Sequence, residues 1–186
     1  MNWLAEYSRR HVLTACAIVF IEILLYRQYA SMQAEFHFWI HGLFGAALGM
    51  GALTVWRLMR PKPVKLNAWE AGFMGHLYSA VPDLLFVGFG VLHMYWMDVF
   101  ALHISLHFIP APIIVMLTVF LLTLAAAVLA NEGYRRLAAV CLVAGVSLVS
   151  VALIFRQPVP QTLQQVRAQG PSSYSWLCPM AGVGGH

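Results

Sequence analysis

Residues 35–63 read EFHFWIHGLFGAALGMGALTVWRLMRPKP. From Phe36 to Met59 the stretch is predominantly apolar, and about 20 such residues span the hydrocarbon of a bilayer as a helix. Pro61 and Pro63 then break the chain, because proline brings no N–H to a helical ladder and restricts the residue before it. Gly42, Gly45, Gly49 and Gly51 give this helix a small-residue face suited to close packing. Its first turns carry His37 and His41, four residues apart and so on one helical face. Ionisable groups inside hydrocarbon are costly, which makes each one a functional hypothesis by default.

Working outward, the rest of the chain has the same character. It is 61% apolar and 10% charged, with a mean hydropathy of +0.74, against about 45–50% and about 25% for soluble domains. Hydropathy predicts an all-α, polytopic membrane helix bundle of five transmembrane helices, at about residues 12–29, 36–59, 71–95, 112–130 and 137–155. Asn131-Glu132-Gly133 supplies the turn between the last two. Residues 98–108 are too short to cross and are closed by Pro110 and Pro112. They read as a short interfacial helix with Asp98 at its N-terminus. No internal repeat divides the chain, so residues 1–155 form one membrane domain and 156–186 an extended exterior tail. The first apolar run carries Glu22 and lacks a small-residue cleavage site, so it reads as a retained helix.

Charge orients this bundle. Five crossings put Arg9, Arg10, Arg57, Arg60, Lys62, Lys65, Arg135 and Arg136 on one side, eight of the eleven basic residues. Arg27, Arg156 and Arg167 fall on the other. The positive-inside rule then predicts a multi-pass inner-membrane protein with a cytoplasmic N-terminus and an exterior or periplasmic C-terminus. Trp39, Trp56, Trp69, Tyr95 and Trp96 fit interfacial aromatic belts. No basic stripe is interleaved with stacking aromatics, which excludes a nucleic-acid partner. Cys16, Cys141 and Cys178 make no CxxC pair and no zinc-ribbon spacing.

This topology gathers ionisable residues at the exterior face: Glu22, Glu35, His37, His41, His93, Asp98, His103 and His107. His37/His41 and His103/His107 are both HxxxH pairs. Two imidazoles on one face, completed by a group from a neighbouring helix, form a recurrent site for zinc, iron or copper. Simpler readings stand beside this one. Glu35 and Asp98 also suit helix N-termini, and His37 and His107 lie where a half-wet imidazole needs no metal. Glu22 calls for a partner on another helix. Asp83 follows Pro82, which kinks the third helix, and a carboxyl there is protonated, paired or metal-bound. His76, two turns earlier, lies nearer the cytoplasmic end, where a hydrogen bond to another helix accounts for it. In the tail, Cys178, Met180 and His186 are soft donors suited to copper, and Trp176 and Leu177 suit docking on a partner subunit.

The stretches His41-Gly42-Leu43-Phe44-Gly45, Val81-Pro82-Asp83-Leu84 and His103-Ile104-Ser105-Leu106-His107 resemble the small bacterial inner-membrane proteins labelled membrane-bound metal-dependent hydrolases. The resemblance covers about residues 40–110. Leu84, Leu85 and Phe86 stand where that family has a second acidic residue and a histidine. What the resemblance implies is a shared membrane scaffold with a metal site.

Three functions remain open on the sequence. A metal-dependent hydrolase would hold its ion at His41, His103 and His107, with Asp83 or Asp98 assisting and Glu22 or Glu35 as general base, acting on a lipid or lipid-linked substrate. A redox subunit would bind b-type haem between His41 and His93 or His103. A non-catalytic accessory subunit of a larger respiratory or photosynthetic membrane complex would use its polar residues for helix contacts and its tail as a clamp.

Overall fold

The computed structural model describes residues 9–32, 34–60, 65–89 and 95–158, and among them every regular element is helical. Four helices are long and apolar enough to cross a membrane: α1 (Arg9–Ser31), α2 (Glu35–Met59), α5 (Pro112–Asn131) and α6 (Arg135–Ile154). Pro112 opens α5, where its missing N–H has no helical partner to lose. Gly133 makes the turn into α6 with φ +85°, a conformation glycine adopts without a Cβ penalty. The Pro61/Pro63 break, Lys62, His93, Arg167 and the tail donors Cys178, Met180 and His186 lie outside the described residues.

The stretch expected as one third span is divided into α3 (Ala68–Ser79) and α4 (Val81–Phe89), with Ala80 between them; residues 90–94 lie outside the described residues. Glu70 opens α3 by accepting the Asn67 N–H at 3.0 Å, the side-chain cap that a helix start requires. Pro82 accounts for the division, since it gives no N–H to the preceding turn and its ring crowds that turn's carbonyl.

The interfacial helix expected over 98–108 is not a helix. Two 3₁₀ turns, Tyr95–Val99 and Ser105–Phe108, flank a segment in which Ala101 (φ 58°) and Leu102 (φ 54°) are left-handed. The Asp98 carboxylate dictates this. It accepts the Ile104 N–H at 2.7 Å, the Ser105 N–H at 2.9 Å and the Ser105 hydroxyl at 2.6 Å. These bonds offer the backbone an alternative to the helical ladder. Left-handed non-glycine residues cost about 1–2 kcal/mol each, which such charge-assisted bonds offset. Arg156, just after α6, donates to Ser105 Oγ at 2.5 Å, and the Gln157 N–H donates to the Phe108 carbonyl at 2.8 Å. The loop is thereby tied to the end of the last helix.

Polar contacts define two ends of the bundle. At one end Arg10 reaches Glu70 at 3.5 Å, Arg57 donates to the carbonyls of Ala127 and Leu66, and Arg135 donates to the Leu58 carbonyl. The starts of α1, α3 and α6 and the ends of α2 and α5 therefore meet there. The other end holds His37, His41, His103 and His107.

Between the ends, α2 and α3 cross at close range. A Cβ at Gly45 would lie 2.5 Å from the Gly75 carbonyl oxygen, and one at Gly75 would lie 2.8 Å from the Gly49 nitrogen. Both are far inside ordinary contact, so this is a small-xxx-small crossing in which backbone meets backbone. Beside it the Ser79 hydroxyl donates to the His41 carbonyl at 2.7 Å, which fixes the register of α3 against α2. Ile40, Phe44, Leu106, Ile109, Met116 and Ala152 form an apolar cluster joining α2, the loop, α5 and α6.

Candidate metal centre

His37 and His41 lie on the inward face of α2 and are 2% and 0% exposed. At about 1.5 Å of rise per residue, His41 stands roughly 9 Å from the Glu35 end of the helix. Its ring meets groups from two other segments. His41 Nε2 lies 3.2 Å from His107 Nε2, and the His41 and His103 rings stack at 3.8 Å between centroids with planes 13° apart. His37 completes one side, its ring centroid 4.4 Å from that of His107. Asp83, at the start of α4, completes the other: its Oδ1 lies 3.4 Å from His103 Nε2.

These contacts make two groups whose ligand atoms lie within 4.8 Å of one another, His37/His41/His107 and His41/Asp83/His103. Either group could hold a metal ion, and His41 belongs to both. For a tetrahedral ion with metal–nitrogen bonds of about 2.0–2.1 Å, neighbouring ligand atoms stand roughly 3.3–3.4 Å apart. The two distances between facing donor atoms, 3.2 and 3.4 Å, match that edge.

The surrounding polar groups orient the donors as a second layer does in metal sites. His103 Nδ1 lies 3.2 Å from the Ser79 carbonyl. A carbonyl only accepts, so Nδ1 carries a proton and Nε2 is the nitrogen turned to Asp83. Tyr29, from the end of α1, donates to Asp83 Oδ2 at 2.5 Å, leaving Oδ1 turned to the histidines. Nε2 and Oδ1 then face each other across a gap that a shared proton, as in an imidazolium–carboxylate pair, or a metal ion can bridge. The other ring nitrogen of His41, Nδ1, is buried without a hydrogen-bond partner, an arrangement that costs about 1–3 kcal/mol where no ion or donor offsets it.

Of the residues expected at the site, the structure brings together His37, His41, Asp83, His103 and His107. His103 and His107 reach it from a turn and a 3₁₀ segment rather than from one helical face. Asp98, expected as a ligand, spends its carboxylate bracing the loop. Glu22, expected as a base, is taken by His76, whose Nδ1 lies 2.7 Å from Glu22 Oε1. Glu35 is half-buried in the first turn of α2, where it complements the helix N-terminus. Tyr29 and Ser79 were not foreseen; Tyr29 lies seven residues, two turns, after Glu22 and thus on the same face of α1.

The haem alternative through His41 and His103 does not fit this geometry. Axial ligands must present nitrogens to each other across a macrocycle, whereas these rings are in face-to-face contact. No protein-family model, curated protein or solved structure matches the chain.

Proposed function

We propose that this is an inner-membrane metalloprotein that holds a zinc, iron or copper ion at the histidine end of the bundle. His41 is the shared ligand, joined by Asp83 and His103 in one group or by His37 and His107 in the other. The observation that carries the reading is the His103–Asp83 pair, with its tautomer set by Ser79 and its carboxylate oriented by Tyr29. On this reading α3 and α4 together make a broken third crossing, giving five in all. The basic end then faces the cytoplasm and the histidine end the exterior. The suggested kinship with membrane-bound metal-dependent hydrolases rests on the same residues. Each three-ligand group leaves one position of a tetrahedral ion open, as catalytic zinc sites do. His107, half-buried, is the ligand nearest solvent. A lipid or lipid-linked substrate would meet activated water there.

Elemental analysis of the purified full-length protein tests the core of this reading. The expected result is near-stoichiometric zinc, iron or copper, and His41→Gln is expected to weaken binding by about a hundredfold or more. Wild-type protein without metal, and unable to take it up after dialysis against each ion, would overturn it. Hydrolysis of a chromogenic phospholipid analogue by the metal-loaded protein, absent in His41→Gln, tests the catalytic extension. A second reading, a non-catalytic subunit, is favoured by the closure of the site, since His41 and His103 are 0% exposed. A metal-loaded protein without hydrolytic activity that co-purifies with a stoichiometric partner would select it.

A further inference from the structure

A second polar pair sits apart from the metal ligands, on the wall of its own cavity. Glu22 on α1 and His76 on α3 meet at 2.7 Å through His76 Nδ1. His76 is 4% exposed, and its Nε2 is buried without a hydrogen-bond partner. Both residues line a cavity of about 410 Å³ between α1, α2, α3 and α5, within the range of roughly 300–1,000 Å³ typical of small-molecule sites. Its other walls include Phe38, Trp39, Trp69, Phe73 and Phe120. Phe38 packs edge-on against the His76 ring at 5.2 Å, holding it in place. Gly42 keeps the wall open beside Nε2, since a Cβ there would come within 3.3 Å of that nitrogen.

The pair combines two properties. An apolar, aromatic-walled space inside a membrane bundle admits a flat, greasy ring. At its edge stands one imidazole nitrogen whose role follows the proton shared with Glu22. With Nδ1–H donated to the carboxylate, a neutral ring offers Nε2 as an acceptor; with the ring protonated, Nε2–H is a donor and the pair is neutral overall. A quinol hydroxyl suits the first state and a quinone carbonyl the second. We infer that this cavity binds the head group of a lipid-soluble quinone or quinol, hydrogen-bonded to His76 Nε2 and oriented by the Glu22–His76 pair. The inference does not depend on the metal site.

The test uses the full-length protein in nanodiscs of a single phosphatidylcholine, titrated with decylubiquinone and with its reduced form while tryptophan fluorescence is followed. Saturable binding of one molecule per chain is expected. It should weaken about tenfold in Glu22→Gln, the loss of one charge-assisted hydrogen bond, and vanish in His76→Phe. Thermal melting identifies any variant that fails to fold. For that case an azidoquinone is photo-crosslinked to wild-type protein, with labelling expected in the peptides bearing Phe38–Trp39 or Trp69–Phe73. Unsaturable quenching, equal affinity in both variants, or labelling confined to other peptides would overturn the inference. So would displacement of the quinone by equimolar dioleoylglycerol, which would show that the cavity takes a lipid alcohol instead.

Discussion

Replacing Gly45 by alanine should weaken metal binding at the proposed site without touching a ligand. The added Cβ would lie 2.5 Å from the Gly75 carbonyl oxygen and 2.9 Å from its carbon, and would also strike the Ser79 hydroxyl. Ordinary contact begins near 3.4 Å, so α2 and α3 must part by roughly 0.9 Å locally, and overpacking of this kind costs about 1–3 kcal/mol. Both sides of the site ride on these helices: His41 on α2, and on α3 the Ser79 carbonyl that sets the His103 tautomer. Metal sites tolerate about 0.2 Å in ligand distance, several times less than the displacement. Gly45→Ala is therefore expected to lower the melting temperature and reduce metal affinity by at least tenfold, measured by competition with a chromogenic chelator. Gly51→Ala is the control, because its Cβ would meet only Leu142 Cδ1 at 3.6 Å. It should leave metal affinity unchanged and the melting temperature equal or slightly raised, since alanine is the better helix former. If Gly45→Ala binds metal as tightly as wild type, the close crossing does not position the site and the argument fails.

Tyr29→Phe removes one hydrogen bond to Asp83 and no packing; a loss of about 10–100-fold in metal affinity is expected, with thermal stability within about 1 kcal/mol of wild type. Asp98→Ala unties two backbone N–H groups and a hydroxyl, so a destabilisation of roughly 2–5 kcal/mol is expected in denaturant titrations; unchanged stability would show that the loop is held otherwise. Acidification should release metal, because imidazoles bind only when unprotonated and an unperturbed histidine titrates near 6.5. Equilibrium dialysis across pH 5–8 checks the sign: occupancy must fall as pH falls.

Helices α1, α2, α5 and α6 were legible because continuous apolar runs bounded by proline, glycine and arginine leave little else to read. The third run was not, because hydropathy is blind to hydrogen bonding. Pro82 signalled a kink, but whether a helix bends or divides depends on what takes its freed carbonyls, and here His103 takes that of Ser79. The loop at 98–108 failed for a related reason. Asp98 at a helix start and Asp98 folding back on residues 104 and 105 look alike in one dimension. Proximity of His41, His103 and His107 followed from topology alone, whereas Asp83 read as a companion of His76 on the third helix and entered the metal hypothesis only as an assisting group. The partnership of Glu22 with His76 did not, since the sequence placed His76 too near the opposite end. Tyr29 escaped notice because a tyrosine at the end of a hydrophobic run is what an interfacial anchor also looks like.

Among the described residues, every donor atom of the two ligand groups belongs to the chain before Phe108, and α5 and α6 contribute none. On the metal-site reading the order of synthesis matters: once the segment through His107 has left the ribosome, the nascent polypeptide carries every proposed ligand. Binding of an ion would then not require the last hairpin, whose Arg156 and Gln157 tie the loop from behind. Stalled translation intermediates long enough for His107 to have cleared the ribosomal tunnel should retain the ion, and ones in which His103 is still enclosed should not.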